Sequence, residues 1–397
     1  MLYLLTKCAA CAAPLSTGVK QCSRCKTRYC SAKCQREHWK RGGHKKECKE
    51  IAGDEGAEHS YAKRQTCSAV SAAVIECSEE QAEQPAGANF NAAKCWICWK
   101  APNSPGGLMR GCACSGPKGF AHAACLARKA SDENPCLRGQ IMSETKWAQW
   151  HTCPLCHQEY HGHVRCALGW YCWATYLDGA ADENILCRAM LELGSSLPED
   201  EAFAVLEPLV GHRTLGREAR AKVAMHFAKV CHRLGLESNK LNPYKPPVCG
   251  LTMMRPLFDG CQSDFGNDEM ITHRCALELG VCLLEHNLVA EATRFLSEQT
   301  LAVFSLGEDH ALTIEFRLRY AQALYKYHFF GHDGYRADLV QAVTLLNDLR
   351  KQSTRILGFS HPTTLSIYTS LVLAFNEQLE WSLNDWPAEI RRGYRFL

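Results

Sequence analysis

Several things this chain lacks narrow its class at once. Among 397 residues no apolar run approaches the roughly 18 that a membrane span requires. The opening stretch MLYLLTK holds only a few apolar residues before Cys8, too few for the hydrophobic region of a secretory signal. The expectation is an intracellular protein, cytoplasmic or nuclear, with no membrane partner. Charge of one sign is not in excess: the net charge is +3, which neither calls for nor excludes a polyanion. Aliphatic side chains are scarce in one place above all, the run CSRCKTRYCSAKCQREHWKRGGHKKEC from Cys22 to Cys48. Burial of apolar surface cannot hold that run together.

Cysteine is what the chain has in abundance, with 25 residues. A disulfide scaffold of that richness would be small and secreted. Here the cysteines crowd into CxxC pairs with histidines between them, in a chain long enough for two or three domains, which reads as zinc in a reducing compartment. The first cluster offers Cys8, Cys11, Cys22, Cys25, Cys30, Cys34, His44 and Cys48, eight ligands and so two closed tetrahedral sites. Cys30/Cys34 and His44/Cys48 are each four apart, which puts each pair on one helix face. His38 competes with His44 for the last place, but it does not sit one turn before Cys48.

CAAC, CSRC, RYCSAKCQ and HWKRGGHKKEC together resemble the MYND-type zinc finger. The resemblance implies interleaved metals, Cys8, Cys11, Cys30 and Cys34 on one zinc and Cys22, Cys25, His44 and Cys48 on the other. It also implies a groove for short proline-containing peptides lined by Gln35 and Trp39. Residues 1–50 carry 12 lysines and arginines against three glutamates. With two zinc ions and seven thiolates counted, the net charge stays at about +6. Aromatics interleave poorly with these charges, so nucleic acid is the less favoured partner.

Residues 51–90 are acidic and rich in Ala, Ser, Gly and Gln, and are expected to be a flexible linker, with TCSAVSAAVIEC a possible short helix. Cys67 and Cys77 have no partner at metal spacing and read as ordinary thiols.

The second cluster runs Cys95, Cys98, Cys112, Cys114, His122, Cys125, Cys153, Cys156. Its CAC is followed by seven residues and then HAAC. A PHD finger has four or five residues there and a Trp two before the seventh ligand, whereas Trp150 lies three before Cys153. The pattern resembles the RING-CH domain, a variant RING. The resemblance implies a cross-brace, with Cys95, Cys98, His122 and Cys125 on one zinc and Cys112, Cys114, Cys153 and Cys156 on the other. It implies an apolar groove for a ubiquitin-conjugating enzyme at Ile97, Trp150 and Pro154. It places His157 where active RINGs often carry an Arg or Lys that clamps ubiquitin. Cys136 fits no ligand place.

From residue 163 the pattern is helical, and single cysteines lie on apolar faces. SLGEDHALTIEFRLRYAQALYK from Ser305 and ILGFSHPTTLSIYTSLVLAFNE from Ile356 share Leu306/Leu357, Gly307/Gly358, His310/His361, Thr313/Thr364 and Ala323/Ala374 at an offset of 51. This resembles the tetratricopeptide (TPR) repeats of kinesin light chains, in a long-helix form that exceeds the usual period of about 34. His310 and His361 read as helix-start packing residues rather than ligands.

The expected fold is therefore mainly α: a MYND finger over 1–50, a linker over 51–90, a RING-CH module over 91–162 and a TPR-like helical region over 163–397. Four zinc ions are implied as cofactors. The resemblances imply a RING-type ubiquitin ligase whose MYND finger and repeats recruit protein substrates or adaptors. The alternative is a non-catalytic, zinc-dependent interaction scaffold. No stretch resembles the NHSC signature of a SET methyltransferase and no glycine-rich cofactor loop is present, which sets that third class aside.

Overall fold

Helices dominate because small residues and leucines recur at helical spacing wherever the metal-ligand pattern stops. The structure, a computed structural model, describes residues 3–15, 18–82, 93–101, 107–114, 119–132, 144–177, 182–234, 250–329, 336–359 and 361–384. It divides into two units, Met1–Phe227 and Ala228–Leu397.

In the first unit a two-stranded antiparallel hairpin, β1 (Lys20–Gln21) and β2 (Arg28–Tyr29), pairs Lys20 with Tyr29. Two short helices follow, α1 (Ala32–Lys40) and α2 (His44–Gly53). Ser31 starts α1 from extended backbone, its hydroxyl accepting the Cys34 amide at 3.2 Å. Gly43, at φ 86°, reverses the chain between the helices in a conformation that suits a residue without Cβ.

The stretch expected to be a flexible linker is instead α3 (Ala57–Ala82), 26 residues packed along α6 (Gly162–Tyr176). Its buried face is Ala62, Ala69, Val70, Ala73 and Cys77. These small side chains let α6 approach closely, and Tyr61 meets Trp170 edge-on at 5.7 Å. Packing outweighs a composition that, summed along the segment, looks like solvent-facing chain. Residues 83–90 of the expected linker lie outside the described residues.

The RING-like part shares this core. Its helix α4 (Ala123–Asp132) also packs on α6, and Gly107 approaches α3 so closely that a Cβ there would lie 2.8 Å from the Val74 side chain. A short helix, α5 (Glu144–Trp147), and a 3-10 turn (Ala148–Trp150) lead into the last ligand pair. Trp147 and Trp150 both bury against Tyr176 of α6, at 5.4 and 5.9 Å between rings. Helices α7 (Glu183–Gly194), α8 (Glu199–Leu206) and the start of α9 (Arg217–Arg233) complete the unit. The expected boundary after residue 162 is therefore corrected. The first helices of the helical region belong with the zinc modules because they supply their hydrophobic cover.

One buried carboxylate ties these parts together. Glu192 of α7 accepts from Trp147 Nε1 and His151 Nδ1, both at 3.2 Å, and pairs with Arg165 of α6 at 2.7 Å. Burial alone would raise its pKa. Arg165 and His151 overcome that and hold the carboxyl well below the usual carboxylate range.

The second unit stacks α10 (Gly250–Phe265), α11 (Met270–Glu285), α12 (Val289–Val303), α13 (Ala311–Phe329), α14 (Arg336–Ile356) and α15 (Pro362–Asn384), each against the next. Helix α13 also touches α11 and α15. Ile314 and Leu318 of α13, Leu346 and Leu349 of α14, and Ile367 and Leu371 of α15 share one core. Residues 235–249, ahead of α10, and 330–335, between α13 and α14, lie outside the described residues.

Two outcomes check this architecture. Glu192→Ala leaves Arg165 without its buried partner, and thermal or denaturant unfolding should show a loss of about 3–5 kcal/mol, with Glu192→Gln less damaging. Brief trypsin digestion of the zinc-loaded chain should spare Lys63 and Arg64 in α3. Early cleavage there would contradict the helix.

Candidate metal centres and docking face

Four CxxC pairs, one in each quartet, sit on the same backbone device. The Cys8 amide donates to Ala13 O at 2.8 Å and the Ala12 amide returns to Cys8 O at 2.9 Å. The same two bonds join Cys22 with Thr27 and Lys26, Cys95 with Lys100 and Trp99, and Cys153 with Gln158 and His157. In all four loops the residue four after the first cysteine is left-handed: Ala12 (φ 57°), Lys26 (60°), Trp99 (60°) and His157 (58°). The turn aims two sulfurs and nearby amides at one point.

Four groups converge on four such points: Cys8, Cys11, Cys30 and Cys34; Cys22, Cys25, His44 and Cys48; Cys95, Cys98, His122 and Cys125; Cys112, Cys114, Cys153 and Cys156. Within each, the ligand atoms all lie within 4.8 Å of one another. Representative separations are 3.4 Å for Cys30–Cys34, 3.6 Å for Cys11–Cys30, and 3.7 Å for both Cys22–Cys48 and Cys114–Cys153. Sulfurs about 2.3 Å from a tetrahedral zinc are separated by about 3.8 Å, so the spacing fits that metal. His44 Nε2 reaches Cys25 at 3.5 Å, and His122 Nδ1 reaches Cys98 at 3.4 Å. His38 is not in the quartet. Its Nδ1 is bonded to the Tyr29 hydroxyl at 3.0 Å and its ring stacks on His44 at 5.2 Å.

The electrostatics of the donor set ask for a cation. Burial alone would raise Cys8 and Cys22. Amides of Cys30 and Ala10 at Cys8, and the His44 ring and the Cys25 amide at Cys22, bring both down to about 6. The Lys100 amide does the same for Cys98. Their neighbours move the other way: Cys30 is pushed up to about 12 by Cys34 and Cys11, and Cys48 to about 12 by burial and Cys22. Four thiols this close cannot all ionise unaided, and a divalent ion removes the conflict. The residues present thus fit four zinc ions, whose role here is structural: each would bind ligands far apart in sequence. Among the described residues the cysteines form no disulfide.

The expected docking residues divide. Ile97 and Pro154 are half-buried on knuckle loops, with part of each side chain reachable. Ile97 lines a shallow pocket with Cys125, Arg128, Lys129 and Asp132 of α4. Trp150 is corrected: at 0% exposure, packed under Tyr176, it is a core residue and presents no face to a partner. His157 is exposed on its left-handed backbone. Sequence reading passed over Trp99 and Leu155, exposed by 75% and 42%. The signal was present, since large apolar residues stand inside or beside two CxxC loops. On α1, Gln35 is half-buried and Trp39 is 40% exposed, its ring edge-on to His44 at 5.8 Å. Cys67 is exposed and Cys77 buried, both outside the quartets, and Cys136 lies outside the described residues.

Elemental analysis should find four zinc ions per chain, and Cys22→Ala should leave two. Because thiolates bind the metal and protons compete for them, zinc is retained at neutral pH and released progressively on acidification. A chromogenic chelator in an acid titration reads the release.

Comparison with known proteins agrees with this geometry. Residues 8–48 match the family model of the MYND finger, and residues 95–156 match that of the RING-variant domain. A stretch of 53 residues is 51% identical to ubiquitin carboxyl-terminal hydrolase 17 of Arabidopsis thaliana, covering 13% of this chain and 7% of that protein. No solved structure matches the chain. Among the described residues no helix is long and apolar enough to cross a membrane.

Proposed function

We propose that this chain is a RING-type ubiquitin ligase. Its RING-variant module docks a ubiquitin-conjugating enzyme, and its MYND finger and helical stack hold a protein substrate or adaptor. One observation carries the reading: the Ile97 side chain opens onto a pocket walled by α4, beside a complete cross-brace of ligand quartets. Such a module needs no nucleophile of its own. It holds the thioester-linked ubiquitin in a reactive pose, and the gain is one of orientation. Arg128, Lys129 and Asp132 give the pocket a charged rim beside the apolar Ile97.

The TPR-like reading of the second unit draws support from its end. Gly307 (φ 96°) and Gly358 (φ 88°) break the chain at equivalent places. His310 Nδ1 accepts the Leu312 amide and His361 Nδ1 accepts the Thr363 amide, both at 3.2 Å. Thr313 and Thr364 are both fully buried, as are Ala323 and Ala374. The two histidines act as matching helix starts, which is what an internal repeat requires and a metal site does not.

His157 favours the second reading, a non-catalytic scaffold. A histidine ring offers a shorter and weaker donor than the arginine or lysine of many active RINGs. Autoubiquitination with a panel of conjugating enzymes separates the two. Under the ligase reading Ile97→Ala should abolish activity at unchanged zinc content, and His157→Arg should raise it. Inactivity of the wild-type chain with every enzyme tested establishes the scaffold instead.

A further inference from the structure

We propose that the MYND finger selects acidic proline-containing peptides, with carboxylates beside the apolar anchor seated on Arg36 and Lys40. This rests on the peptide-binding reading of Gln35 and Trp39 and adds the chemistry of the partner. Gln35 and Trp39 lie four apart on α1 and form one stripe. Arg36 and Lys40, also four apart, form the adjoining stripe, and both are exposed. Helix α1 holds a single acidic residue, Glu37, and that carboxylate already faces Arg41 at 3.9 Å. Among the described residues no carboxylate pairs with Arg36, Lys40 or Lys33 on α1, or with Lys45, Lys46 or Lys49 on α2. The finger thus presents one exposed indole bordered by uncompensated cations.

The dimensions suit an extended ligand. Four residues of α-helix rise about 6 Å. Two residues of polyproline II chain advance about 6 Å as well. Acidic residues two positions apart in a proline-containing segment therefore match the Arg36–Lys40 spacing while the proline lies against Trp39. Nucleic acid fits less well. Single-stranded binding relies on successive aromatic platforms, and Trp39 is the one large exposed aromatic among the described residues of the finger.

The test uses the zinc-loaded full chain and fluorescence anisotropy with three labelled peptides of one proline-containing sequence, flanked by glutamates, glutamines or lysines. The glutamate peptide should bind about five-fold more tightly than the glutamine peptide, the sum expected of two exposed ion pairs. Its advantage should shrink with added salt. In an Arg36→Glu/Lys40→Glu double variant with unchanged zinc content, the preference should reverse toward the lysine peptide. Equal binding of glutamate and glutamine peptides, both lost in Trp39→Ala, overturns acidic selection while leaving peptide binding intact. Binding of none of the three overturns both. Displacement of the glutamate peptide by a mixed-sequence oligonucleotide whose own binding ignores Trp39→Ala assigns the patch to nucleic acid and overturns the proposal.

Discussion

Everything in the front of this molecule depends on clustering thiols that repel one another once ionised. Each knuckle spends its amides on stabilising one thiolate, and the neighbouring thiol is pushed up in response. A divalent ion resolves the conflict and, because the quartets interleave, it also resolves the topology. Cys8 and Cys11 meet Cys30 and Cys34 across the β1–β2 hairpin, and Cys112 and Cys114 meet Cys153 and Cys156 across α4 and α5. The MYND finger has only a small apolar cluster around Tyr29 and Ile51, and most of its other members are metal-binding cysteines. Metal binding and folding are then the same event.

The helices convert two such modules into one body. Helix α3 leaves the MYND finger, runs beside α6 and receives a loop of the RING-variant module at Val74. Tyr176 and Glu192 hold the segment leading to Cys153 from the other side. Whatever the MYND finger holds is thus carried at a set distance and angle from the pocket at Ile97, where a slack tether would have sampled many. Under the proposed ligase function, where the gain is one of orientation, this would matter more than any single contact at the pocket.

How much of this was legible in the sequence differs from part to part, for physical reasons. The sixteen ligands were readable because tetrahedral coordination imposes spacings that chance does not supply, and the structure gathers the same four quartets. Helix α3 was legible only as a possible short helix over TCSAVSAAVIEC, because its buried face is built from alanine, cysteine and a lone valine against an acidic, polar background, which gives little contrast between faces. Trp150 was misplaced because a motif position reports the local loop and says nothing of Tyr176, which arrives from a helix outside the motif. Glu192 left no local signal at all. Its partners lie 27 to 45 residues away. The helix-start histidines were legible because repetition at an offset of 51 residues shows each one twice.

The α3–α6 seam also bears on how the chain is made. Helix α3 leaves the ribosome about 80 residues ahead of α6. At bacterial-to-eukaryotic synthesis rates the interval is roughly 4–16 s. For those seconds its sticky flank has no mate, while the thiols of the MYND finger can already capture zinc. Early metal capture would park α3 beside a finished finger, and chaperones need shield only the flank until translation delivers its cover.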